Sequence, residues 1–120
     1  NKDEVDYINF HGTSTLINDK VETLAVKQTF NSHAMNIPCS STKSMVGHPQ
    51  GASGALGVTV SALSLKNGFM TPTINMETPD PECDMDYIAN VGREGKLKIA
   101  VSNCISFGSK NSALVLKIFE

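Results

Sequence analysis

The sequence predicts an α/β protein in which helices pack on a sheet whose last two strands form a hairpin. Three observations lead there. Segments of strand character and of helical period alternate along the first part of the chain. A glycine-bearing helix is bracketed by a proline at its start and Asn67-Gly68 at its end, the usual punctuation of helix termini. Near the end, two apolar runs flank the polar, glycine-bearing loop Cys104–Asn111.

The elements follow in order. Glu4–Phe10 alternates polar and apolar residues and reads as a strand. It begins so close to the start of the chain that the sequence is expected to be a piece of a longer protein. His11–Thr15 is small and polar, a loop leaving the strand's C-terminal end. Asn18 or Asp19 can cap a helix, with Glu22 three residues after Asp19 as in a capping box. Val21, Leu24, Ala25 and Gln28 then give a helical stripe that ends near Phe30. After a loop over Asn31–Asn36, Ile37–Cys39 reads as a short strand. A second helix is predicted from about Pro49 to Lys66. Phe69–Asp86, with Pro72, Pro79 and Pro81, reads as an irregular extended connection, and Met85–Ala89 as a short strand. Lys96–Asn103 and Ser112–Phe119 are the hairpin strands, the second apolar enough to be buried on both faces.

Composition bounds the function. One domain spanning 1–120 accommodates the 120 residues. A net charge of -2 leaves no electrostatic footprint for nucleic acid. Every apolar run falls far short of the ~20 residues of a membrane span, and no basic leader with an apolar core opens the sequence. The 3 cysteines include no Cys-x-x-Cys pair, which favours a reducing, cytoplasmic setting.

His11 and His48 both stand in loops that leave a strand and enter a helix, the edge where α/β sheets gather ligands. Helix N-termini favour neutral imidazoles and negative charge on a ligand. Two such rings donating toward one oxygen would form an oxyanion hole, and Lys43 would bias the field the same way. The plainer alternative is that both histidines cap their helices and Lys43 is solvated. No third ligand clusters near either ring, so no metal site is expected; His33 reads as surface. Gly47, Gly51, Gly54 and Gly57 leave one helix start almost free of side chains, either for a ligand or for tight packing. Thr13, Ser14 and Thr15 offer hydroxyls to an amide-rich ligand arm, or complete a turn. Cys39 lies in an apolar strand and Cys83 between acids that disfavour a thiolate. Cys104 reads as a structural thiol.

Asn9–Thr15, Asp19, Glu22, Ser41–His48, Pro72–Asn75, Cys83–Asp86 and Ser102–Gly108 together resemble the C-terminal part of β-ketoacyl-acyl carrier protein synthases, nearly end to end. The resemblance implies a thiolase-like layered fold, α-β-α-β-α, with this chain most of the C-terminal half. It implies an acyltransferase in fatty acid or polyketide biosynthesis that decarboxylates malonyl-carrier protein and condenses it with an acyl-enzyme. His11 and His48 match the family's enolate-stabilising histidines and Lys43 its supporting lysine. Thr13 and Thr15 match contacts to the phosphopantetheine arm. Phe107 and Gly108 match the acyl-pocket gate and its oxyanion loop. No bound cofactor is implied beyond the phosphopantetheine of the acyl carrier protein. The implied partners are that carrier protein, the N-terminal half of the synthase, and a second subunit in a homodimer or heterodimer.

Four departures stand out. No cysteine matches the family's nucleophile, so the isolated chain is expected to be inactive, and Cys104 occupies a usual serine position. Gly57 replaces a frequent glutamate. The last loop carries Ser106 and Ser109 in place of glycines, and Leu16 and Asn18 replace a proline and a glycine. These departures favour a specialised polyketide synthase. The alternative is a non-catalytic, chain-length-factor-like subunit, against which two polar rings at positions 11 and 48 argue.

Overall fold

A computed structural model of the protein describes residues 1–119. Its main sheet holds β1 (Tyr7–Asn9), β2 (Cys39–Ser40), β5 (Ile99–Cys104) and β6 (Ser112–Lys117) in the order β2-β1-β5-β6. β1 runs parallel to β2 and β5, while β5 and β6 form the expected antiparallel hairpin, with Val101 opposite Val115. The short strands β3 (Phe69–Met70) and β4 (Arg93–Glu94) pair separately.

Successive β1 side chains enter opposite layers, as strand geometry requires. Ile8 joins Val26, Phe30 and Ile37 on the side of α1 (Asn18–Phe30). Tyr7 joins Leu65, Met70, Ile88 and Leu97 on the side of α3 (Ser53–Asn67). The sheet thus carries helices on both faces, an α/β architecture. Gly68 closes α3 in the left-handed region, φ 61° and ψ 35°, donating its N–H to the Ser64 carbonyl.

Several expectations are corrected. α1 buries Glu22, Thr23, Val26 and Phe30 and leaves Val21 and Leu24 exposed, so the inward stripe is rotated from the one predicted. The rotation follows from Glu22, whose buried carboxylate accepts bonds from other elements instead of closing a capping box. The glycine-rich helix starts at Ser53, preceded by a 3₁₀ turn over Gln50–Ala52, rather than at Pro49. Met85–Ala89 forms no strand; only an isolated bridge joins Ala89 to Thr73. β6 is not buried on both faces: Leu114 is 52% and Val115 66% exposed. It forms a sheet edge, and only Leu116 packs, in part, on the α3-side core.

Candidate active site

Parallel neighbours in a sheet deliver their C-terminal loops to the same edge, and this brings His11 and His48 together. His11 follows β1. Lys43 opens the single-turn helix α2 (Lys43–Val46) after β2, and His48 lies between α2 and α3. The two rings stand edge to face, with centroids 5.5 Å apart and planes at 86°.

Each loop is pinned. Glu22, 2% exposed, accepts the N–H groups of His11 at 2.8 Å and Gly12 at 2.9 Å, and the amides of Asn103 at 3.0 Å and Asn18 at 3.3 Å. Ser41 donates its hydroxyl to the Gly12 carbonyl at 2.7 Å, stitching the β2 loop to the β1 loop. Gly12 has φ 40°, and a Cβ there would lie 2.5 Å from that of Ser41, so only glycine permits the approach.

His48 Nδ1 accepts the Gln50 N–H at 3.2 Å and lies 2.9 Å from Ser53 Oγ. An acceptor Nδ1 places the ring proton on Nε2, making that nitrogen a donor. His11 is 6% exposed, and its Nδ1 has no partner among the described residues. Burial first, then the charges of Lys43 and His48, lower its pKa to about 4 against an opposing pull from Asp19, so the ring is neutral near pH 7. Lys43 is half-buried and its pKa is lowered by desolvation, with Glu22 and Cys104 acting the other way.

A cavity of about 700 Å³ opens beside His48, lined also by Lys43, Gly12, Thr13 and Thr15; His11, 6% exposed, stands behind His48 and does not line it. Thr15 Oγ1 also accepts the Asn18 N–H at 3.3 Å, completing the turn into α1. Phe107 and Gly108 are not brought to this cavity: Phe107 is fully exposed in a 3₁₀ turn. The small residues of α3 serve packing at Gly57, where a Cβ would meet Ser102 Oγ at 2.6 Å and Asn9 Oδ1 at 3.1 Å. Gly51 meets nothing within 4 Å. The cysteines are free; Cys39 is buried, which pushes its thiol pKa well up.

Glu22 and Asn103 were missed as site residues, Glu22 having been read as a cap. The spacing Glu22, Val26, Phe30 puts the acid on the buried stripe, and a carboxylate there demands donors.

The fold is a mixed α/β sheet with helices on both faces and two histidine rings paired at its loop edge. The family model for the β-ketoacyl synthase C-terminal domain matches residues 1–77, and the chain belongs to that family. It is 47% identical over 119 residues to 3-oxoacyl-[acyl-carrier-protein] synthase 2 of Coxiella burnetii, covering 98% of this chain and 29% of that protein. Against the Synechocystis enzyme of the same name, identity is 46%, covering 97% of this chain and 28% of the relative. Among solved structures, the ishigamide ketosynthase/chain length factor aligns with TM-score 0.95 at 34% identity, over 100% of this chain and 29% of its own. AntDE:AntF, described as a type II PKS acyl-carrier protein in complex with its ketosynthase bound to the hexaketide, aligns with TM-score 0.94 at 36% identity, again over 100% and 29%. The chain therefore spans less than a third of the length of these relatives.

Proposed function

We propose that residues 1–120 are a single partial domain, the histidine-bearing part of a 3-oxoacyl-[acyl-carrier-protein] synthase acting in fatty acid or polyketide biosynthesis. The observation that carries this reading is the pairing of His11, held neutral near pH 7, with His48 at the edge of a cavity. With centroids 5.5 Å apart the rings touch edge to face, close enough for one oxygen beside the contact to accept a hydrogen bond of about 2.9 Å from each. When a malonyl thioester loses carbon dioxide, the electron pair of the broken C–C bond moves into an enolate, and its charge gathers on the thioester oxygen. Donors already fixed there lower that barrier. The enolate carbon then attacks an acyl thioester on a cysteine supplied by the remainder of the protein, and that cysteine leaves as thiolate. Lys43 adds positive potential. Thr13 and Thr15 border the path of the phosphopantetheine arm of an acyl carrier protein, and Phe107 and Gly108 act on the acyl side once the remainder of the protein packs on them. In this reading the parent forms a homodimer or heterodimer. Its free thiols suit the cytoplasm, and no described helix is long and apolar enough to cross a membrane.

The test is carbon dioxide release from malonyl-carrier protein by the full-length protein. His11→Ala and His48→Ala are each expected to reduce it by at least 100-fold, within the range typical of a lost oxyanion donor. Unchanged release in both variants would overturn the reading in favour of a non-catalytic, chain-length-factor-like subunit.

A further inference from the structure

The connection between β3 and β4 forms one wall of the cavity, and its attachment is uneven. Both ends are anchored. Thr73 and Ile88 share a backbone bond of 3.0 Å, and Asn90 binds Met76 with its side-chain oxygen at 3.0 Å and its nitrogen at 2.8 Å. At the other end, Cys39 donates its N–H to the Asp86 carbonyl at 2.8 Å, and Met85 is buried in the core.

Between these anchors, residues 77–82 are all exposed. Lys20 of α1 joins them to the rest of the described chain, contacting Glu82 and standing 3.7 Å from Asp80. Asp84 is held by Lys27, two turns further along the same helix. The side chains of all four residues remain at least one-third exposed, so water and salt reach both latches. Thr78, Asp80 and Cys83 face the cavity from this segment, across from Thr15, Leu16 and Lys20. Pro79 and Pro81 stiffen it.

We propose that residues 77–84 are a charge-latched flap on this cavity, closed by Lys20 and Lys27 and released when added salt or the phosphate of an incoming phosphopantetheine arm competes for them. What passes beneath the flap rests on the function proposed above; the opening itself does not. An exposed ion pair shifts an equilibrium by roughly 1.4- to 5-fold, so two latches give a gate that opens readily but is closed on average.

Alkylation of Cys83 by neutral iodoacetamide, followed by mass spectrometry on the full-length protein, reads the opening without any turnover. In 50 mM salt, the Lys20→Ala/Lys27→Ala variant is expected to label Cys83 about 3- to 10-fold faster than wild type. Removing two cations disfavours the thiolate, so faster labelling cannot come from the thiol's own acidity. Exchanging the charges, Lys20→Glu with Glu82→Lys, should keep labelling slow. Cys39, fully buried, should stay unlabelled in all three proteins and so reports intact folding. Equal labelling of Cys83 in wild type and the double alanine variant overturns the proposal, as does fast labelling in the charge-exchanged protein with Cys39 protected. Loss of activity in the His11 or His48 variants leaves these rates untouched, so the two readings fail separately.

Discussion

Glu22 is the perturbation that most directly tests how the site is held. Each of its oxygens accepts two donors: Oε1 takes His11 N–H and the Asn103 amide, Oε2 takes Gly12 N–H and the Asn18 amide. A proton on either oxygen would displace a donor, so the geometry requires a carboxylate even though burial pushes the pKa of Glu22 above its ordinary value. Glu22→Gln turns one acceptor into a donor that opposes two donors, and each unsatisfied buried group costs about 1–3 kcal/mol. We expect the Gln variant to lose about 1–3 kcal/mol in denaturant unfolding and Glu22→Ala about 3–5 kcal/mol. Because the carboxylate positions the His11 backbone, the Gln variant should also lose roughly 10- to 100-fold in kcat for malonyl decarboxylation, the scale of an ångström-sized misplacement. KM should change little, since Thr13 and Thr15 keep their positions. The assay is carbon dioxide release alongside a guanidinium melt. A Gln variant as stable and as fast as wild type would show that the site holds a protonated carboxyl, and that the four bonds do not position the ring.

The other predictions concern charge and packing. His11 has a folded pKa depressed to about 4 from 6.5, so its contribution to stability is complete above pH 6.5 and is lost as pH falls through about 4. The stability difference between wild type and His11→Asn should shrink over that window, and Lys43→Met should raise the His11 midpoint in an NMR titration without restoring 6.5, because burial remains the larger cause. At Gly57, alanine would gain about 1 kcal/mol of helix propensity but push a Cβ to 2.6 Å from Ser102 Oγ. Gly57→Ala is expected to destabilise by about 1–3 kcal/mol and to become neutral or stabilising in a Ser102→Ala background. Additive effects in that double-mutant cycle would dismiss the contact.

The local signals that survived in the fold are those enforced by backbone chemistry. Asn67-Gly68 ended a helix where a left-handed residue was needed, and the polar loop before Ser112 returned the chain as a hairpin. The convergence of His11 and His48 was legible because parallel strands fix which edge their loops share. What was not legible depended on contacts distant in the chain. The stripe Val21, Leu24, Ala25 and Gln28 looked inward by polarity alone. Four donors, two of them on the β1 loop and one on β5, outbid that pattern and turned Glu22 to the core instead. β6 reads as a strand buried on both sides, yet its side chains stand exposed in this chain. It lies at the edge of the sheet, so Leu114 and Val115 have no further strand or layer to bury them among the described residues. Phe107 is likewise exposed, in a 3₁₀ turn that no other described element covers.

The two histidines are held by different means, and the difference assigns them different sensitivities. His48 is exposed, and its tautomer is set locally by the Gln50 amide. It should keep its Nε2–H as long as the turn before α3 survives. His11 is buried with an unpartnered Nδ1. A proton on that nitrogen would strand a buried donor, so the proton belongs on Nε2. Its neutrality comes from burial and two neighbouring positive groups rather than from a hydrogen bond. A perturbation that admits water to the β1 loop should therefore raise the His11 pKa. An NMR titration of Glu22→Gln in which the His11 midpoint moves up from about 4 is the expected signature, and a midpoint unchanged from wild type would mean that water does not reach His11 when its clamp is weakened.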